Sequence, residues 1–316
     1  MKRLKVGVIG VGYLGRFHAE KYAALQDAEL IGIVDPDLGR ATEIAGKLKT
    51  QAFSDSSQLI DQVDAVSIVV PTVLHYEVAK RFLEQGVHIL LEKPITATVD
   101  QADELIELAG RKGAILQAGH IERFNPAVTA IGPMLKSPRY LTAERTAPFT
   151  VRCTDVNVVF DLMIHDLDIV MSLAGSSPKE VSAAGASVIT REIDMATARI
   201  AFVNGCIADI TASRVSDEKK RVLRVFDGES MFLSDFQAQK AAVSRRGAGP
   251  VPSLAANDIA VERRDTLADE IQAFVQSVRN GARPMVSGIE GRRALALAQT
   301  ITNNIQKGIT GFIPVS

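Results

Sequence analysis

Residues 161–168 read DLMIHDLD, and the apolar run continues through Ile169, Val170 and Met171. On a helix of 3.6 residues per turn, Asp161, His165 and Asp168 fall at i, i+4 and i+7, along one stripe of an otherwise greasy segment. An imidazole titrates near neutrality and can take or give a proton, and a carboxylate one turn away can orient the ring or hold a hydroxyl. The same pair could chelate a divalent ion, but that needs a third ligand. The histidines, at 18, 75, 88, 120 and 165, are dispersed, and no other cluster has ligand spacing, so no metal is expected. The plain alternative is a wet polar face, with Asp166 off the stripe and Asp168 solvating its end.

Two further motifs carry chemistry. GVGYLG, Gly10 to Gly15, fits GxGxxG, follows the apolar run LKVGVI and opens a helical pattern near Arg16. Gly10 allows the tight turn, Gly12 close approach to a pyrophosphate, and Gly15 close helix–strand packing, while the helix N-terminus offers free amides to an anion. Tyr13 and Leu14 fill the variable positions and count with them as cofactor-binding. Asp35 ends the next apolar run, where a carboxylate accepts from an adenosine ribose and repels a 2′-phosphate, so NAD is expected in preference to NADP. HILLEKPIT, 88–96, is a buried strand pattern ending in Glu92-Lys93-Pro94. Strand C-termini face the ligand crevice of open α/β sheets, which points Lys93 at the cofactor. A lysine desolvated beside a cationic nicotinamide has its pKa depressed towards a useful range. An ordinary solvated loop lysine fits the spacing equally well.

The elements that must hold these residues change character once. Up to about residue 120, apolar runs (LKVGVIG, ELIGIVD, AVSIVV, HILLE, AILQAG) alternate with helical patterns at 16–25, 40–48, 76–84 and 101–112. That alternation predicts a doubly wound parallel sheet covered on both faces. Beyond Phe124, a helix at 158–173 precedes strand-like stretches at 181–190, 196–203, 205–213, 221–227, 230–234 and 239–244, then helices at 267–280 and 291–307. Strands joined by short turns predict an antiparallel sheet. GAGPVPSLAAND, 247–258, reads as a long loop. The expected class is therefore α/β, with a Rossmann domain over 1–122 and an α+β domain with an open, mostly antiparallel sheet over 123–316.

Composition sets the outer limits. A chain of 316 residues is long enough for two domains. With a net charge of −1 it has no basic excess for nucleic acid. No stretch reaches the roughly 20 apolar residues of a membrane helix, and the run Val6 to Val11 is too short and glycine-broken for a signal peptide. Cys153 and Cys206 imply no disulfide framework, so a reducing, cytoplasmic setting is expected.

Over essentially its whole length the sequence resembles the Gfo/Idh/MocA family of sugar and cyclitol oxidoreductases. The resemblance is carried by GVGYLGRFH, by residues 69–98 (VVPTVLHYEVAKRFLEQGVHILLEKPITAT) and by DLMIHD, in that order and spacing. It implies that Lys93 contacts substrate and nicotinamide ribose, with Asp161 and His165 facing them from the second domain. It implies Thr72 and His75 along the cofactor channel, with Glu92 beside them. It also implies a second sheet whose exposed face makes oligomer contacts, in a homodimer or homotetramer. On it, His165 and Lys93 share the acid–base role and Asp161 positions the substrate. The segment before Asp161, DVNVVFD, departs from the glycine-rich run of many members.

GHIERFNP together with DVNVVFDLMIHDLDI is similar to the branch that oxidises C3 of the nucleotide sugar UDP-N-acetylglucosamine. Such a diphosphate needs cations, and Arg123, Arg145 and Arg152, with Asn125, are the expected substrate contacts. Surface arginines, with Asn125 as a helix N-cap before Pro126, are the plain alternative. Three functions stand at this point: a UDP-amino-sugar dehydrogenase, a dehydrogenase of a free sugar, cyclitol or other polyol, and a non-catalytic NAD-binding regulator.

Overall fold

The structure is a computed structural model that describes residues 3–150, 156–247 and 253–309. It divides into two compact units, one holding the chain to Ile121 together with Asp265–Leu295, the other Glu122–Arg264 together with the chain from Ala296.

In the first unit, strands β1 (Leu4–Ile9), β2 (Ala28–Val34), β3 (Gln51–Phe53), β4 (Ala65–Ile68), β5 (His88–Glu92) and β6 (Leu116–Gly119) form one parallel sheet in the order β3-β2-β1-β4-β5-β6. Helices α1 (Tyr13–Ala24), α2 (Leu38–Leu48), α3 (Thr72–Glu84) and α4 (Val99–Lys112) connect them. The order reverses beside β1, the switch point at which open α/β sheets bind ligands. Local chemistry sets the helix ends. The Asp37 and Thr98 side chains accept from amides in the first turns of α2 and α4, and Gly113 ends α4 in the left-handed region at φ 64°. β3 is short and half-exposed, which is why no apolar run announces it.

The second unit contains an eight-stranded sheet built from β7 (Pro138–Thr146), β8 (Pro178–Ala186), β9 (Met195–Phe202), β10 (Ile207–Ser213), β11 (Lys220–Asp227), β12 (Ser230–Asp235), β13 (Lys240–Arg246) and β14 (Leu254–Ile259). Its order is β14-β13-β12-β11-β7-β10-β9-β8, and only β7 with β10 pairs parallel. The short helix α5 (Pro126–Ile131) and helix α6 (Ile164–Ala174) precede most of these strands. Two strands depart from expectation. β7 carries Arg139, Glu144 and Arg145, so its sequence looks too polar for an interior strand. β14 runs through much of the stretch read as a loop; it is an exposed edge strand and has no buried face to give a hydrophobic signal.

The chain's return also differs from the expected boundary. α7 (Thr266–Asn280) and the first turns of α8 (Gly288–Ile309) belong to the first unit. Leu267, Ile271, Phe274 and Val275 of α7 share one buried cluster with Val6, Val8, Ile33, Leu90 and Tyr22. Ala118 N–H donates to Val286 O at 3.0 Å, adding a contact beside β6. No helix among the described residues is long and apolar enough to cross a membrane.

If α7 is integral to the first unit, Phe274→Ala should cost about 3–5 kcal/mol. Urea unfolding monitored by circular dichroism measures it, and a loss below about 1 kcal/mol, the typical size for an ordinary point mutant, would contradict this packing.

Candidate active site

The glycine turn sits at the carboxyl end of β1. Gly10 has φ +84°, a conformation a side chain resists, and a Cβ there would lie 2.5 Å from Val69 O. A Cβ on Gly15 would meet Gly10 O at 1.8 Å, so only glycine lets α1 start this close to the turn. Around Gly12 there is open space, with nothing within 4 Å of a built Cβ. Gly12 is the N-cap of α1 and brings no capping side chain, and no acidic residue follows in the first turn. The amides at this helix start therefore face space with the helix dipole behind them, which suits a pyrophosphate. Tyr13, 65% exposed, and the less exposed Leu14 flank that space.

Asp35 lies just beyond β2, only 5% exposed. Its Oδ2 accepts from Val11 N–H and its Oδ1 from Asp37 N–H, each at 3.0 Å, so the carboxylate ties the glycine turn to the start of α2. Two lone-pair positions stay unused and can accept from ribose hydroxyls. Arg40 stands nearby, 3.6 Å from Asp35 and 3.0 Å from Asp37. With both carboxylates neutralising it, Arg40 gives no positive field for a 2′-phosphate. These residues fit NAD.

At the carboxyl end of β5, the peptide between Lys93 and Pro94 is cis, and Lys93 is half-buried. Glu92 turns inward. Its Oε2 accepts from Lys93 N–H at 3.2 Å, and its Oε1 lies 3.2 Å from His18 Nε2. His18 Nδ1 is 3.2 Å from Ser67 Oγ, which is 2.9 Å from Tyr22 OH, and all of these side chains are buried. Burial pushes the Glu92 carboxyl up, but the bond and charge of His18 with the charge of Lys93 outweigh it and hold Glu92 below the ordinary glutamate value. Glu92, expected at the cofactor, thus supports Lys93 from beneath.

His75, expected along the cofactor channel, is also a brace. It is buried, with Nδ1 2.8 Å from Pro94 O and Nε2 2.9 Å from Val70 O, so its ring joins the ends of β4 and β5. Burial lowers its pKa, which keeps it mainly neutral. Thr72, half-buried, is the first residue of α3 and keeps its place at the carboxyl end of the sheet.

The second unit holds Asp161 and His165, both half-buried. The regular stripe expected for them is broken, because Val159–Met163 form a turn of π-helix before α6. Asn157 Oδ1 caps this turn, accepting from Val159 and Phe160 N–H at 3.0 and 3.2 Å. Asp168 leaves the stripe for an ion pair with Arg123 at 3.2 Å. Asp166, which the sequence singled out least, is buried and receives Arg145 Nε at 2.8 Å and Nη2 at 3.0 Å. These two bonds lock the helix that carries His165.

Arg145 is 2% exposed, and its Nη1 also donates to Glu122 at 2.9 Å. Arg221 stands opposite Arg145 in the β11–β7 register and reaches Glu122 at 3.3 Å. Two arginines facing across strands repel, and the two carboxylates compensate them one for one. Burial opposes ionisation of Glu122, yet Arg145 outweighs it and holds the carboxyl below the ordinary glutamate value. Arg145 is therefore spent inside and cannot serve as a diphosphate clamp. Asn125 is spent as well. It caps α5, accepting from Ala127 N–H at 3.1 Å, and its amide donates to Glu122 and Phe236 O, each at 3.0 Å. Arg123 has donors beyond its bond to Asp168, and Arg152 lies outside the described residues.

Sequence reasoning passed over His18, Glu122, Ser67 and Glu270 as parts of these sites. A buried-strand serine and a histidine at the third position after Gly15 were the available signals for the first network. Nothing local announces Glu122, whose arginine partners lie far along the chain, or Glu270, whose neighbour Glu92 does.

Comparison with known proteins places both units. Residues 4–120 match the oxidoreductase family with an NAD-binding Rossmann fold, and residues 139–230 match the GFO/IDH/MocA C-terminal domain. The chain is 43% identical over 302 residues to UDP-N-acetylglucosamine 3-dehydrogenase of Acidithiobacillus ferrooxidans, covering 94% of this chain and 96% of that one. A solved structure of that enzyme superposes with a TM-score of 0.94 at 40% identity, over 98% of this chain and 100% of the other. Scyllo-inositol 2-dehydrogenase (NAD(+)) of Bacillus subtilis is 27% identical over 331 residues, covering 97% and 95% of the two chains. The first unit is thus an NAD-binding Rossmann domain.

The two glycines should separate folding from binding. Gly12→Ala, in open space, should leave the Tm within about 2 °C and weaken NAD binding at least tenfold, whereas Gly15→Ala should lower both, with overpacking costing about 1–3 kcal/mol. Thermal melts and NAD titration calorimetry on both variants check this. Unchanged NAD affinity in Gly12→Ala would remove the turn from the cofactor site.

Proposed function

The chain belongs to the Gfo/Idh/MocA family of oxidoreductases, and from that we propose that it is an NAD-dependent dehydrogenase oxidising C3 of UDP-N-acetylglucosamine to the 3-keto sugar. The observation that carries the reading is the near-full-length match to an enzyme of that name, at 43% identity against 27% for the inositol enzyme. Family members named as dehydrogenases of alcohol carbons support the reaction class, and the presence here of Lys93, Asp161 and His165 supports turnover over a purely regulatory role.

Oxidation at C3 removes a hydride from carbon and a proton from the hydroxyl. NAD, when bound, supplies the hydride acceptor. Lys93 and His165 share the proton, since both are half-buried nitrogen bases on rigid supports, the first held by Glu92 and the second by the Asp166–Arg145 pair. Asp161 accepts from a sugar hydroxyl and orients the ring. Arg123 and Arg152 are the proposed diphosphate ligands. The reading carries a cytoplasmic homo-oligomer with it. The half-exposed sheet face bearing Tyr140 and Phe226, whose rings stand 5.8 Å apart, is the proposed contact, and light scattering at a dimer or tetramer mass would agree with it.

The deciding assay is NADH formation from NAD and UDP-N-acetylglucosamine with a trap for the keto product, because alcohol oxidation at neutral pH is uphill. Turnover that requires the UDP group supports the reading. Turnover only on free sugars or inositols replaces the substrate and keeps the reaction. Lys93→Met should lose at least about 100-fold in kcat with NAD affinity unchanged within about twofold, and loss of NAD binding would mean that Lys93 is misassigned.

A further inference from the structure

α7 delivers a carboxyl group to the interior of the first unit. Glu270 is 0% exposed, and neither carboxyl oxygen has a hydrogen-bond partner among the described residues. It forms no ion pair there either. Its charged neighbour is Glu92, the carboxylate beneath Lys93. Gln117 Nε2 donates to the Glu270 carbonyl at 3.4 Å, while Gln117 Oε1 is buried and also lacks a partner. A buried acid beside a carboxylate, with no donor to either oxygen among the described residues, favours the protonated form.

We propose that Glu270 is a positioning residue for Lys93, an uncharged carboxylic acid that leaves the charge of the Glu92–Glu270 pair on Glu92. The inference rests on Lys93 acting in the reaction proposed above. Two carboxyl groups sharing a buried site do not both ionise, and differing surroundings decide which keeps the proton. Glu92 has His18 and Lys93, whereas burial and then the charge of Glu92 push Glu270 well above the ordinary glutamate value. Were Glu270 to ionise, repulsion would displace Glu92, whose oxygens hold the Lys93 amide and face His18.

Titratable and charged groups also lie on each neighbouring element. α1 gives His18, Tyr22 and Lys21, whose ammonium pairs with Asp265 at 2.6 Å. β5 gives Glu92, with Lys93 just after it, His120 follows β6, and Asp265 caps α7, which itself carries Asp269. Because the folded-state pKa of Glu270 is raised, its contribution to stability is complete below the ordinary value of 4.5 and is lost as pH rises through the folded value. Activity should fall over the upper part of the same window.

The test uses Glu270→Gln and Glu270→Ala in the full chain. Infrared difference spectra should show a protonated-carboxyl carbonyl band in wild type that Glu270→Gln lacks. The wild-type Tm should decline with rising pH more steeply than that of Glu270→Gln. Glu270→Ala should lose at least tenfold in kcat, Glu270→Gln should restore it, and the alkaline limb of its pH–rate profile should move to higher pH. A missing band, parallel Tm slopes or coincident alkaline limbs would overturn the inference, and Glu270→Gln keeps it open to failure if Glu270→Ala does not fold. If wild type oxidises no sugar, the reaction proposed above fails separately, and the band and Tm slopes still decide the state of Glu270.

Discussion

Removing a charge from water costs several kcal/mol unless another charge or a set of hydrogen bonds meets it, and each unit of this protein is organised around that constraint. In the first, Glu92 is buried at the end of β5 and answered by His18 and the Lys93 amide. In the second, Arg145 and Arg221 are answered by Asp166 and Glu122. Removing one partner of such a group strands the others as uncompensated buried charges. Lys93 and His165 each sit one residue away from a member of such a network. Their placement is inherited from the charges of those networks.

The glycine turn obeys a different constraint, that of volume. Gly10 and Gly15 exist for the fold, because a methyl group on either would strike backbone oxygen. Gly12 meets no such obstacle, so the space before it is free for another molecule. Asp35 links the two requirements, since the carboxylate that steadies the turn through Val11 also has acceptor positions to spare. One residue thereby steadies the turn and keeps a carboxylate edge open beside it.

Four of the expected ligand contacts share one feature in the structure. Arg145 and Asn125 are expected at a ligand because polar residues near a predicted crevice invite that reading, His75 and Glu92 because the family resemblance implies it. All four are committed to protein partners: Asp166 and Glu122, the α5 cap, His18 with the Lys93 amide, and two carbonyls. Residue type and family resemblance share this blind spot, since neither says which hydrogen bonds are already made.

The sequence by itself determined the parallel sheet, the glycine turn with Asp35, the Lys93 strand end and the helix bearing His165. Each is written in local periodicity or in a short motif, because burial repeats every two or 3.6 residues and a turn needs particular residues at fixed offsets. Only the tertiary structure decided that α7 returns to the first unit, that β7 buries an arginine, that a π-turn breaks the Asp161–His165–Asp168 stripe, and that Glu270 lies beside Glu92. Those outcomes depend on partners tens or hundreds of residues away. Whether a buried charge is tolerated is set by the groups that meet it in space, and no window along the chain contains them.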